Sequence, residues 1–272
     1  MKKKLTLVVT CVVLVAAMVI GGTLAYFTDK DDATNVFTVG KVDITLEETF
    51  TENSKLVPGV NVQKEVKIKN ETDSEEAFVW YVEYIPSDLD SNDGTTGTNN
   101  ALHVNSLGST WDNYRENKDY WTDGQTEALP LEKTWDHGPE KELNIAVGPQ
   151  GFFEQVTIDG VKYNKYVVLY HGKLAADEET TVAMCKVYLD TSVDVDENGK
   201  YYHILSKGPK AGTKEMLPTL DAGNPKIIIE AYGIQANGLT DINKDGEVDV
   251  YDAYLLYQSQ ATAVAEAAKK AN

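Results

Sequence analysis

The chain has 272 residues, with 25 Lys and Arg against 43 Asp and Glu, a formal charge of −18. A surface this acidic repels nucleic-acid phosphates and anionic lipid headgroups, which excludes nucleic acid as a partner. It suits solubility, cation binding or a basic partner.

The N-terminus opens with Lys2–Lys4, an apolar run Leu5–Ile20, and then Gly21-Gly22-Thr23-Leu24-Ala25. A basic start, an apolar core and small residues at Thr23 and Ala25 describe a signal peptide, residues 1–25, cut between Ala25 and Tyr26. An uncleaved anchor is the alternative, because the run to Ala25 is nearly long enough to cross a bilayer. Removing Lys2–Lys4 leaves 22 basic residues against 43 acidic ones, a mature charge of −21. Of the two cysteines, Cys11 falls in the apolar run, so a mature chain retains Cys185 alone and forms no internal disulfide. Alternation in TVAMCKVYLD reads Cys185 as a small buried group on a strand.

Val42–Leu46 alternates as a half-buried strand. Leu56-Val57-Pro58-Gly59 is a turn, Val62–Lys69 a strand, Asn70–Asp73 a turn, and Ala77–Ile85 an aromatic, β-branched core strand. Ser87–Gly151 is rich in Asn, Asp, Gly and Thr, with Trp111, Tyr114, Tyr120, Trp121 and Trp135 scattered through it. We read residues 86–151 as an insertion whose rings form a satellite core of their own; an exposed binding surface is the alternative. Phe152–Ile158 and Lys162–Tyr170 flank the hairpin signal Asp159-Gly160. Thr180–Leu189 is a strand, Asp194–Gly199 a turn, and Lys226–Ala236 the last core strand. Together these predict an all-β fold over residues 26–239.

The segment T-L-A-Y-F-T-D-K-D-D-A-T-N-V-F-T-V-G-K-V-D-I-T-L, Thr23–Leu46, resembles the signal and mature start of the TasA/camelysin family. These are secreted proteins of Gram-positive bacteria processed by a SipW-type signal peptidase. The Leu-x-Pro-Gly turn, the paired strands after it, and Tyr166–Asp190 follow the same family pattern. The resemblance implies an antiparallel two-sheet, jelly-roll-like sandwich and a structural role in the cell surface or biofilm matrix. It further implies self-association into fibres, in which the mature N-terminal segment, with Val36, Val42, Ile44 and Leu46 as its apolar set, completes the sheet of the next subunit. Camelysins also carry a metallopeptidase label. His103, His137, His171 and His203 show no His-Glu-x-x-His spacing, so we expect no enzyme.

The clearest chemical signal is Asp241–Asp252. Asp241, Asn243, Asp245, Asp249 and Asp252 fall at positions 1, 3, 5, 9 and 12 of a calcium loop, Gly246 at the sharp turn, and Glu247 where a backbone carbonyl is used. Calcium takes about six to eight hard oxygen ligands, and this spacing wraps them round one point. Ala253–Gln258 reads as a helix with apolar Tyr254, Leu255 and Leu256, followed by an Ala/Lys tail, Ala261–Asn272. The pattern resembles a single dockerin repeat, which implies Ca2+ and a cohesin-like scaffold partner for residues 240–272. The missing second repeat puts that partner in doubt. The alternative is an acidic turn that caps the helix with Asp249 or Asp252.

Overall fold

A computed structural model describes residues 28–31, 42–50, 54–90, 100–106, 135–136, 153–206, 210–223 and 225–271. Its strands are β1 (Thr28–Asp31), β2 (Ile44–Phe50), β3 (Val62–Asn70), β4 (Ala77–Pro86), β5 (Leu102–Ser106), β6 (Trp135–Asp136) and β7 (Phe153–Ile158). They continue as β8 (Val161–Leu174), β9 (Met184–Leu189), β10 (Val193–Val195), β11 (Tyr201–Ile204), β12 (Lys214–Met216) and β13 (Ile228–Gln235). Two helices accompany them, α1 (Pro218–Asp221) and α2 (Val250–Ala271).

The fold is mostly β, in three antiparallel sheets. The largest runs β1-β13-β4-β8, with β6 and β7 both paired to β8. A second runs β2-β3-β9-β5, and a small third runs β10-β11-β12. The first two sheets enclose the main core, made of alternate residues: Val42 and Ile44, Val66 and Ile68, Val79 and Tyr81, Val168 and Tyr170.

Strand β4 explains its own composition. Ala77, Val79 and Tyr81 face the second sheet, whereas Phe78, Trp80 and Val82 face the other way, beneath α2. A strand covered on both sides needs apolar residues without alternation, which is what AFVWYV supplies. Trp80 stacks parallel to Tyr232 of β13 at 5.8 Å and meets Tyr254 and Tyr257 of α2 edge-on. The helix is anchored by its first two turns, where Val250, Ala253 and Tyr254 are buried. It then runs unbroken to Ala271, so Ala261–Ala271, expected as a weak helical tail, continues the same helix.

The β7–β8 hairpin forms as predicted. Asp159 and Gly160 have φ of 49° and 81°, and two positive φ values are what a tight two-residue hairpin demands. Asn70 ends β3 and turns its side chain inward, where its amide donates to the carbonyls of Glu75 (2.9 Å) and Leu174 (3.0 Å). It thereby fixes the 71–76 turn against the end of β8. Of the turn expected over Asp194–Gly199, Asp194 and Val195 belong to β10, and the turn itself begins at Asp196, which accepts from the Asn198 and Lys200 amides.

Three expectations need correction. The 86–151 segment is not wholly set apart from the sandwich: β5 pairs with β9 at an edge of the second sheet, and β6 pairs with β8. Trp135 belongs to the main core rather than to a satellite. It is 1% exposed, lies against Tyr81 and Tyr170, and its indole N–H donates to the Thr181 carbonyl at 3.0 Å. Burying so large a ring with its one polar atom satisfied outweighs the polar composition of the sequence around it. Trp111, Tyr114, Tyr120 and Trp121 lie outside the described residues. Finally, the N-terminal segment is not one strand, because β1 joins the first sheet and β2 the second. Within the 180–189 strand, regular pairing begins only at Met184, and the Cys185 side chain lies outside the description.

Replacing Trp135 with Ala is expected to cost about 3–5 kcal/mol of global stability, as a large core truncation does. Urea unfolding followed by far-UV circular dichroism measures it; a loss below about 1 kcal/mol would return Trp135 to a satellite cluster.

Candidate functional site

Two regions carry candidate chemistry, the N-terminal segment and the acidic loop. Strand β1 is short and lies at the edge of its sheet, Thr28 opposite Ile234 and Asp31 opposite Ala231. Val42 and Ile44 are 2% and 3% exposed, and Leu46 packs against the same core. Gly233 of β13 makes room for them. A Cβ there would stand 3.2 Å from Val42 Cγ1 and 3.3 Å from Ile44 Cγ2, closer than a packed interior tolerates without movement. Ala25, Tyr26 and Val36 lie outside the described residues.

The Asp241–Asp252 loop begins beyond β13 and ends inside α2. Lys244 and Gly246 have positive φ, 63° and 101°, which curls the chain back on itself. Asp241 accepts from the amides of Lys244 and Gly246. Asn243 accepts from the Asp245 amide and donates to the Asp245 carboxylate at 2.7 Å, and Asp245 accepts from Glu247 N–H. The Glu247 side chain is exposed.

Asp249 and Asp252 form a reciprocal cap. Asp249 Oδ1 accepts from Tyr251 N–H (2.8 Å) and Asp252 N–H (3.2 Å), while Asp252 Oδ2 accepts from Asp249 N–H (3.2 Å). This is the capping-box arrangement, with Asp in place of Glu. Asp252 is fully buried, and its Oδ1 also accepts from Ile242 (2.6 Å) and Asn243 (3.1 Å). One carboxylate therefore ties the loop to the helix. Burial pushes the Asp249 carboxyl above its ordinary range, and the charges of Asp252 and Asp245 add to that push against the two backbone bonds. Asp245 is held low by the Glu247 amide and the Asn243 side chain.

The sequence-derived ligands are thus gathered in one loop, and the side chains of Asp241, Asn243, Asp245, Asp249 and Asp252 each accept from a backbone amide. Among the described residues no three His, Cys, Asp or Glu side chains converge as a metal cage. The donor set fits calcium in kind, being oxygen throughout. The same side chains realise the capping alternative.

The histidines are separated by role. His103 Nε2 pairs with Asp190 Oδ2 at 2.9 Å and its ring stacks on Tyr188. His203 is buried in the small third sheet, His171 is half-buried on β8, and His137 lies outside the described residues. Sequence reasoning missed a further buried acid. Asp90 accepts from Asn164 (2.9 Å) and from the Tyr166 hydroxyl, and burial holds its carboxyl above the usual range.

Residues 1–120 match the model of the family described as Camelysin metallo-endopeptidase. The match covers the N-terminal part of the chain, through β5, and over that part the chain is similar to this family. The acidic loop and α2 lie outside the matched residues. Comparisons with curated proteins and with solved structures give no match. The family description raises the question of peptidase activity.

Asp252→Ala leaves three part-buried amides without their acceptor and is expected to cost about 2–3 kcal/mol in calcium-free buffer. Asp245→Ala, at an exposed position, is expected to leave stability almost unchanged. Thermal melts of the two variants with a chelator present measure the contrast.

Proposed function

We propose that the protein is a secreted, non-catalytic structural component of the cell surface or extracellular matrix, assembling into fibres by exchange of its N-terminal strand. The observation that carries this reading is the seat of the N-terminal segment. A short edge strand leads into Val42 and Ile44, which fill a cradle opened by Gly233. In an exchanged assembly the same side chains fill the same cradle in the next subunit. The contacts are conserved, so exchange costs little beyond ordering, and the backbone ladder to β13 supplies affinity. Cleavage between Ala25 and Tyr26 by a SipW-type peptidase frees the strand end, since a tethered end cannot thread into a neighbour.

In this reading Asp241, Asn243, Asp245, Asp249 and Asp252, with the Glu247 carbonyl, hold Ca2+. A divalent cation relieves the crowding of acids in the loop, for which Lys244 is the one basic residue of the twelve. A second reading, an adaptor docked through this loop on a cohesin-like scaffold, rests on the dockerin-like spacing.

The tests are direct. Electron microscopy of the mature chain from Tyr26 is expected to show fibres. Deleting residues 26–41 is expected to abolish them while circular dichroism retains the β signal; fibres from the truncated chain would overturn exchange. Calcium titration calorimetry is expected to give one site, lost in the Asp241→Ala, Asp245→Ala double variant. Peptide hydrolysis that tracks the purified protein and stops with a chelator would replace the structural reading with the peptidase one.

A further inference from the structure

The chain holds two Asn-Gly pairs, Asn198-Gly199 and Asn237-Gly238. Such a pair can react with itself. The glycine nitrogen stands within five-membered-ring reach of the asparagine Cγ, and glycine has no Cβ to obstruct the approach. Both pairs are exposed, both glycines have positive φ, 74° and 89°, and a Cβ added to either meets nothing within 4 Å. Room and solvent are therefore alike at the two. Hydrogen bonding is not. Gly199 N–H donates to the Asp196 carbonyl at 3.0 Å, and the amides on either side of it, Asn198 and Lys200, both donate to Asp196 Oδ1 at 2.9 Å. Among the described residues no hydrogen bond engages the Gly238 N–H or the Asn237 side chain.

We propose that Asn237-Gly238 is a site of self-modification, where Asn237 is converted to aspartate and isoaspartate without an enzyme, while the turn at Asn198-Gly199 protects that pair. Gly238 N gives up its proton and bonds to Asn237 Cγ. The bond from Cγ to the side-chain nitrogen breaks, and that nitrogen leaves with the proton as ammonia. A cyclic imide remains, and water opens it at one of its two carbonyls. Opening at Cγ gives aspartate. Opening at the main-chain carbonyl leaves the chain running through the former side chain, as isoaspartate. Water is the one co-reactant, and nothing is oxidised or reduced. At Asn198 the same attack must first break the Gly199 bond to Asp196, in a turn that two further bonds to Asp196 hold in shape.

The place of Asn237 in the fold gives the change a consequence. Ala236 is buried, and its N–H donates to the Glu76 carbonyl at 2.8 Å. Leu239 packs against the cluster that α2 shares with the first sheet. Asn237 and Gly238 alone connect these two anchored residues. Isoaspartate lengthens that connection by one main-chain carbon. Either product adds a negative charge four residues before Asp241, at the entry to a loop already crowded with acids. Slack and charge act in the same direction, loosening the seat of Leu239 and of the helix that follows.

Ageing the mature chain at mildly alkaline pH and physiological temperature, followed by peptide mapping with mass spectrometry, tests this. The folded chain is expected to convert Asn237 about fivefold faster than Asn198, the factor that one net hydrogen bond at the attacking nitrogen supplies. In urea, where neither turn persists, the two rates should converge. Labelling by an isoaspartyl methyltransferase should mark the Asn237 peptide and be absent from it in Asn237→Gln. Equal rates in the folded chain, or faster conversion at Asn198, overturn the proposal. Amide hydrogen exchange reads the consequence. Protection of α2 should fall in step with conversion in the unaltered chain and hold in equally aged Asn237→Gln; full protection in a converted chain overturns the loosening.

Discussion

The constraint on which this structure rests is the burial of β4 on both faces. One face closes the sandwich through Val79 and Tyr81, and the other receives α2 through Phe78 and Trp80. Each partner depends on the strand lying between its neighbours β13 and β8. A charged substitution at any of these positions would be felt in two layers at once. Trp80 has no exposed surface and touches rings from both β13 and α2, so it links the family-like sandwich to the C-terminal loop and helix that the family match does not reach.

Much of the sandwich was legible in the sequence. Where strands are long or end in an obligatory turn, the signal survives: β3 by alternation, β4 by its unbroken apolar run, β7 and β8 by Asp159-Gly160. Strands β1 and β6 are too short to show a period, and their place is set by their partners on β13 and β8. The third sheet escaped for a similar reason, since three-residue strands such as β10 and β12 leave little to read. The division of the N-terminal segment between two sheets could not be read locally at all. It depends on Gly233, nearly two hundred residues away, leaving space for Val42 and Ile44.

The acidic loop was legible as spacing and ambiguous as chemistry. Carboxylates at such intervals suit a cation and suit backbone amides equally well, and Asp249 and Asp252 serve the amides at the start of α2. Reading Val250–Asp252 as loop also hid the apolar stripe of the helix, which begins at Val250 and continues through Ala253, Tyr254 and Tyr257. Helical period and ligand period overlap in those three residues, so neither could be separated from the other by sequence alone. The Trp135 environment was hidden differently, by polar neighbours in sequence that are not its neighbours in space.

The pairing of β1 with β13 carries a mechanical consequence. Thr28 lies opposite Ile234, so the chain enters the ladder beside the point where it leaves toward the loop and α2. Tension between the two ends would load the first hydrogen bond of the ladder alone and then each in turn, as a zipper opens, instead of shearing all of them together. An antiparallel ribbon pulled in this way gives at low force, and its short length makes the yield abrupt. The outermost strand would therefore part first under load, with the sandwich behind it still closed.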